Sequence, residues 1–207
     1  MTPQQSTRER IIQTATELFL KKGYDRTSVR DITSKAQINV ALMNYYFRSK
    51  EVLFETIIDL LIGKASASLK EILDADMDLN PKIEKYISSY IDFLIENPLL
   101  ISFVLTVLSH NPEKLTKLKV ADNLYNSQIF STQLKQEASL GNIRAINPEQ
   151  FYINMLSLIA FPFAIKDMII YKNRYSDDAF VQFIKNRKTI IYEMTINYLQ
   201  PNQNLKL

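Results

Sequence analysis

The side chains whose types and spacing suit chemistry crowd between Thr27 and Lys50. Thr27, Ser28, Tyr45 and Tyr46 carry hydroxyls and Lys50 an ammonium, groups that suit phosphate oxygens and can position a nucleic acid without reading it. Arg30 can reach a guanine edge or a phosphate, and Asn44 can pair bidentately with adenine. Val40, Ala41 and Leu42 offer apolar contact to thymine methyls, and Asn39 stands directly before them. Such a set recognises edges and backbones; it does not break bonds.

Other chemistries are short of residues. The 207 positions hold no cysteine, which removes disulfides, thiol nucleophiles, iron–sulfur clusters and cysteine zinc sites. The single histidine, His110, leaves no multi-histidine metal site. Three glycines, Gly23, Gly63 and Gly141, cannot build a dinucleotide fingerprint or a phosphate loop. A hydrolase built on His110 and a serine would lack a nucleophile elbow. The expectation is a protein that is not an enzyme, with no metal and no cofactor. Charge points the same way. Residues 1–50 hold nine Lys and Arg against four acids, and the rest of the chain holds 16 against 18. A basic head on a slightly acidic body suits a polyanionic partner for the head.

The elements that position these side chains are helices. Apolar residues recur at 3–4 spacing, glycine and proline are few, and no alternating strand is found, so the fold class is all-α with about nine helices. A first helix runs from about Thr7 to Lys22, with Gly23 as its C-terminal cap. A second starts at Thr27/Ser28, where Ser28 and Asp31 have capping-box spacing, and ends about Gln37. Asn39 caps a short third helix, Val40–Phe47, and Ser49 caps a fourth that runs to about Asp74. Gly63 lies inside that fourth helix, as a hinge or a point of close packing. Two short helices joined by Gln37-Ile38-Asn39 have helix-turn-helix spacing. Farther on, Asn80-Pro81, Asn97-Pro98, Asn111-Pro112 and Asn147-Pro148 open helices ending near Glu96, Ser109, Gly141 and Asn173. Ser176-Asp177-Asp178 caps the last helix, to about Leu199.

The run Gly23-Tyr24-Asp25-Arg26-Thr27-Ser28-Val29-Arg30-Asp31-Ile32, followed by Ala36 through Glu51 (AQINVALMNYYFRSKE), closely resembles the TetR (tetracycline-repressor-like) family of transcriptional regulators. It departs from that family at Gln37, where glycine is usual, and at Val40 and Leu42, where many relatives are polar. The resemblance implies an N-terminal three-helix DNA-binding domain, residues 1–48. A long fourth helix would join it to a helical ligand-binding and dimerisation domain, residues 49–207. It also implies a homodimer on a palindromic double-stranded DNA operator, released by a small-molecule effector. A regulator controlled by a protein partner is the alternative.

The body sequence suggests where those functions sit. The helix over Gln150–Ile165 is apolar nearly all round, and the last helix carries a heptad of apolar residues at 180, 184, 191, 194 and 198 with Arg187 in the remaining slot. Two such helices from each subunit make a four-helix interface. An apolar or aromatic effector would meet Tyr90, Phe93, Phe103, Thr106, Tyr125, Tyr152 and Met155. The longest uncharged runs, Asn97–Pro112 and Gln150–Ile165, fall short of the ~20 residues of a membrane span, and no secretory signal is visible. A cytoplasmic protein without a membrane partner is expected.

Overall fold

A computed structural model describes residues 6–102, 104–105 and 127–201. All its regular elements are helical, and the described residues fall into two compact units, residues 6–64 with 102 and 104–105, and residues 65–101 with 127–201.

The first unit contains α1 (Thr7–Lys22), α2 (Val29–Ala36), α3 (Val40–Phe47) and α4 (Lys50–Ile58). Each start is fixed by a local side chain. Ser6 with Glu9, and Ser28 with Asp31, form full capping boxes; Asn39 accepts from the Leu42 amide at 2.7 Å and Ser49 from the Val52 amide at 3.2 Å. Gly23, at φ +83°, ends α1, its amide donating to the Phe19 carbonyl. The four helices close over Ile11, Phe19, Ile32, Met43, Phe47 and Leu53. Phe19, Tyr24 and Phe54 add a ring cluster with centroids 4.5 to 5.6 Å apart.

The helical stretch from Lys50 to Asp74 is interrupted, where the sequence suggests one uniform α-helix. Asp59–Gly63 is a π-helical segment, and α5 (Lys64–Asp74) follows it. A Cβ built on Gly63 meets no described atom within 4 Å, so a close-packing role for this glycine finds no support among the described residues.

In the second unit, α6 (Leu79–Glu96) packs against α8 (Pro148–Ala164) and α10 (Asp177–Leu199), with α7 (Gln128–Ser139) against α8. Tyr86 is fully buried on α6, and its hydroxyl lies 2.7 Å from that of Tyr152. Burial raises the Tyr86 pKa well above its ordinary value. Lys82 is also buried; its ammonium donates to Gln133 Oε1 at 2.5 Å, and loss of solvation lowers its pKa. Nearby, the Ser127 hydroxyl donates to Asp74 Oδ1 at 2.7 Å, and Lys70 pairs with the same carboxylate. Partial burial pushes the Asp74 pKa up, but these two hydrogen bonds and the lysine charges outweigh it and leave the pKa lowered.

Two helix expectations need correction here. The helix opened by Asn147-Pro148 does not run straight to Asn173: it stops at Ala164, and α9 (Lys166–Asn173) leaves at 60°. Pro162 lies inside α8 near its end, where it lacks an amide to donate and its ring crowds the carbonyl one turn back. That carbonyl, on Leu158, accepts instead from Arg187 Nη2 at 3.1 Å. The helix ending near Gly141 has a fresh start at Ser127, whose side chain accepts from the Phe130 amide. The end of the helix expected from Asn97-Pro98, the start of the one from Asn111-Pro112, and His110 lie outside the described residues. Among the described residues no single helix is long and apolar enough to cross a membrane; only the bent pair α8 and α9 passes that test jointly.

Candidate nucleic-acid interface

α3 has an inner and an outer face because it is short and its apolar residues are split. Met43 and Phe47 are buried in the first unit, and Leu42 is half-buried. Val40, Ala41, Asn44, Tyr45 and Tyr46 are exposed, Tyr45 at 80% of its surface. Tyr45 and Tyr46 meet edge to face at 5.2 Å, which orders two large rings on the outer surface. Asn39 uses its side-chain oxygen as the cap and keeps its amide protons on the exposed side. The outer face therefore carries methyl groups, an amide and two phenols on one rigid helix.

α2 adds the exposed Arg30. Ser28 is exposed as well, but its hydroxyl donates to Asp31 Oδ2 at 2.8 Å while accepting from the Asp31 amide. The backbone and hydroxyl bonds from Ser28 hold the Asp31 carboxyl below its ordinary pKa.

Two expected phosphate contacts have other work. Thr27 is fully buried, and its hydroxyl donates to the Gly23 carbonyl at 2.8 Å. It is a structural residue of the turn between α1 and α2, because a polar group buried there must find a backbone acceptor. Lys50 donates to the carbonyls of Tyr24 and Thr27 at 3.2 and 3.1 Å and stands 4.0 Å from the Tyr24 ring. Tyr24 in turn donates to Glu51 at 2.6 Å, and burial, with the Glu51 carboxylate, raises its pKa. Lys50 thus ties α4 to the α1–α2 turn, with one ammonium proton beyond these two bonds.

The charges on this unit are sorted. Lys35 pairs with Glu17 at 2.7 Å, and Lys22 lies 3.9 Å from Asp31. Arg26, Arg30 and Arg48 form no ion pair among the described residues. Arg8 places its guanidinium 5.3 Å from the Phe47 ring, adding a cation beside the C-terminal end of α3. The sequence reading missed Arg8; its only signal there is the basic excess of the head.

Of the residues expected to meet an effector, Phe103, Thr106 and Tyr125 lie outside the described residues. Tyr90 and Tyr152 are buried around Tyr86, with ring centroids 6.0 Å from it, and Phe93 is half-buried. Met155 lines a groove of about 640 Å³ between α8, α9 and α10, with Leu158, Phe161, Ile165, Met194 and Tyr198. A second cleft, of about 650 Å³, is polar and is lined by Asp74, Asp76, Asp78, Lys82 and Glu137. Among the described residues no group of three His, Asp or Glu is placed to hold a metal.

Residues 11–57 match the family described as bacterial regulatory proteins, tetR family. The chain is 30% identical over 138 residues to the "Probable HTH-type transcriptional regulator YttP" of Bacillus subtilis, a match covering 64% of this chain and 59% of that protein. A second B. subtilis protein, the "Uncharacterized HTH-type transcriptional regulator YerO", is 35% identical over 65 residues, 31% of this chain and 22% of its own. The matches thus span less than two thirds of the length of these relatives. The fold is that of the TetR-family regulator PfmR from Thermus thermophilus, with a TM-score of 0.67 at 20% identity over 89% of this chain and 97% of that one. A TetR transcription regulator from Haloarcula marismortui superposes with a TM-score of 0.68 at 17% identity, over 94% and 98%. Residues 11–57 thus resemble the tetR family of bacterial regulatory proteins, and the described helices share the fold of solved TetR-family regulators.

Proposed function

We propose that the chain is a cytoplasmic, homodimeric repressor that binds a palindromic operator in duplex DNA and is released by a small apolar or aromatic effector. The observation that carries DNA binding is the outer face of α3, where Val40, Ala41, Asn44, Tyr45 and Tyr46 are all exposed while Met43 and Phe47 anchor the helix. A helix so presented inserts into the major groove, its N-terminal residues at base edges. Asn44 reads adenine, Val40 and Ala41 meet thymine methyls, and Arg30, Ser28, Tyr45 and Tyr46 hold phosphates. Residues 1–48 are the reading domain; residues 49–207 hold the effector and the partner subunit.

The second copy is supported by the groove on α8 and α10. Phe161 is 61% exposed and Met194 52% exposed, a poor arrangement for large apolar side chains in water. Of the expected heptad on α10, Phe180, Ile184 and Ile191 are buried within the subunit, so the exposed face is carried by Phe183, Arg187, Met194 and Tyr198, and a two-fold pairing of α8 and α10 would cover it with its own copy. A stable interface removes about 800 Å² from each partner. Fluorescence anisotropy on duplexes enriched from a random pool, together with sedimentation equilibrium, tests the proposal. A monomer at micromolar concentration, or no enrichment of any duplex, refutes it. In the dimer, Phe161→Asp is expected to shift the equilibrium to monomer without loss of helicity.

A further inference from the structure

Two residues of the first unit stand in backbone conformations that disfavour a side chain, and they bracket α3. Gln37, in the turn before it, has φ +53° and ψ +50°; Arg48, directly after it, has φ +56° and ψ −43°. At positive φ a Cβ crowds the backbone, and glycine is the favoured occupant. The same unit uses glycine at φ +83° where α1 ends. The other non-glycine residue at positive φ, Arg174, ends α9 in the second unit.

The turn geometry at both places is made by the backbone. The Gln37 amide donates to the Ser34 carbonyl at 3.2 Å, the Ile38 amide to Thr33 at 3.0 Å, and the Arg48 amide to Asn44 at 2.9 Å. Glycine would make the same bonds with less strain. Both side chains are exposed, and neither has a hydrogen bond or an ion pair among the described residues. The fold therefore gives no reason for a side chain at either position, and strain of this kind is kept where function needs it.

The two positions mark the two ends of the helix that presents the outer face. Resting on the DNA-binding reading above, we propose that Gln37 and Arg48 contact the operator directly. Gln37, which both donates and accepts, hydrogen bonds to DNA at the N-terminal end of α3. Arg48 pairs with a phosphate at the C-terminal end, near the Arg8 cation.

Glycine at each position separates this role from a structural one, because stability and binding then move in opposite directions. Gln37→Gly and Arg48→Gly are expected to melt at or above the wild-type temperature. On random-sequence duplex, Arg48→Gly is expected to bind on the order of 10–100-fold more weakly, with the log–log salt slope reduced by about 1.8, roughly 0.9 for the phosphate lost by each of two subunits. Arg48→Lys restores the slope. On the duplex enriched by the wild-type protein, Gln37→Gly is expected to lose about 2–10-fold in affinity with the slope unchanged. Glycine variants that bind both duplexes as tightly as wild type overturn the proposal, and so do variants that melt lower. If the wild-type protein binds neither duplex, it is the DNA-binding reading that fails.

Discussion

Replacing Arg187 by methionine isolates one long-range hydrogen bond. Pro162 lacks the amide that would donate to the Leu158 carbonyl, and Arg187 Nη2 donates to it instead from α10, at 3.1 Å. Methionine keeps the apolar stem and removes the donor, leaving a half-buried carbonyl unmet at a cost of about 1–3 kcal/mol. Arg187 itself is disfavoured by burial: its pKa is lowered by lost solvation, and its Nε has no acceptor among the described residues. That cost is relieved in the variant, so the net loss should fall near the lower end, about 1–2 kcal/mol. For a chain of this size each kcal/mol is about 2–4 °C in Tm, so a fall of roughly 2–8 °C is expected. The decisive comparison is a double-mutant cycle with Pro162→Ala, which returns an amide to position 162 and a local donor to Leu158. In that background Arg187→Met should cost at least ~1 kcal/mol less. Urea unfolding at one fixed protein concentration measures all four variants, since the proposed dimerisation would make apparent stability depend on concentration. An equal cost of Arg187→Met in both backgrounds would refute the assignment of this bond to the proline.

Asp31 has a lowered native pKa against an ordinary value of 3.8, so its stabilising contribution is present above 3.8 and is lost as pH falls through the lowered value. The stability gap between wild type and Asp31→Asn should therefore close on acidification, as read by pH-dependent melting. Lys82 has a lowered native pKa against 10.5, so the unfolded chain binds more protons in that window and stability should rise with pH towards 10.5. Lys82→Met should abolish that rise, while Gln133→Ala, which strands the buried ammonium, should destabilise at neutral pH by about 1–3 kcal/mol in chemical unfolding. Asn44→Ala, on an exposed position, should leave Tm unchanged yet cost about 1–3 kcal/mol per half-site on the selected duplex and relax one base position in each half-site in a repeated selection.

What could be read from the sequence is what neighbouring residues decide. The starts at Ser28, Asn39, Ser49, Asn147 and Ser176 were legible because each cap is a bond between residues three apart. Gly23 was legible because positive φ favours glycine. The split of α3 into an anchored and an exposed face followed from helical spacing, so the candidate site was largely visible in advance. The proline at 162 was visible too, but what satisfies the carbonyl it orphans was not. That donor comes from Arg187, 29 positions away, and only packing brings it there. Thr27 and Lys50 show the same limit: both have types suited to phosphate, yet Thr27 is buried in the turn and Lys50 reaches back 23 and 26 positions to two carbonyls. A side chain's chemistry is set by its type, but its partner is set by which backbone groups the tertiary structure leaves unpaired beside it.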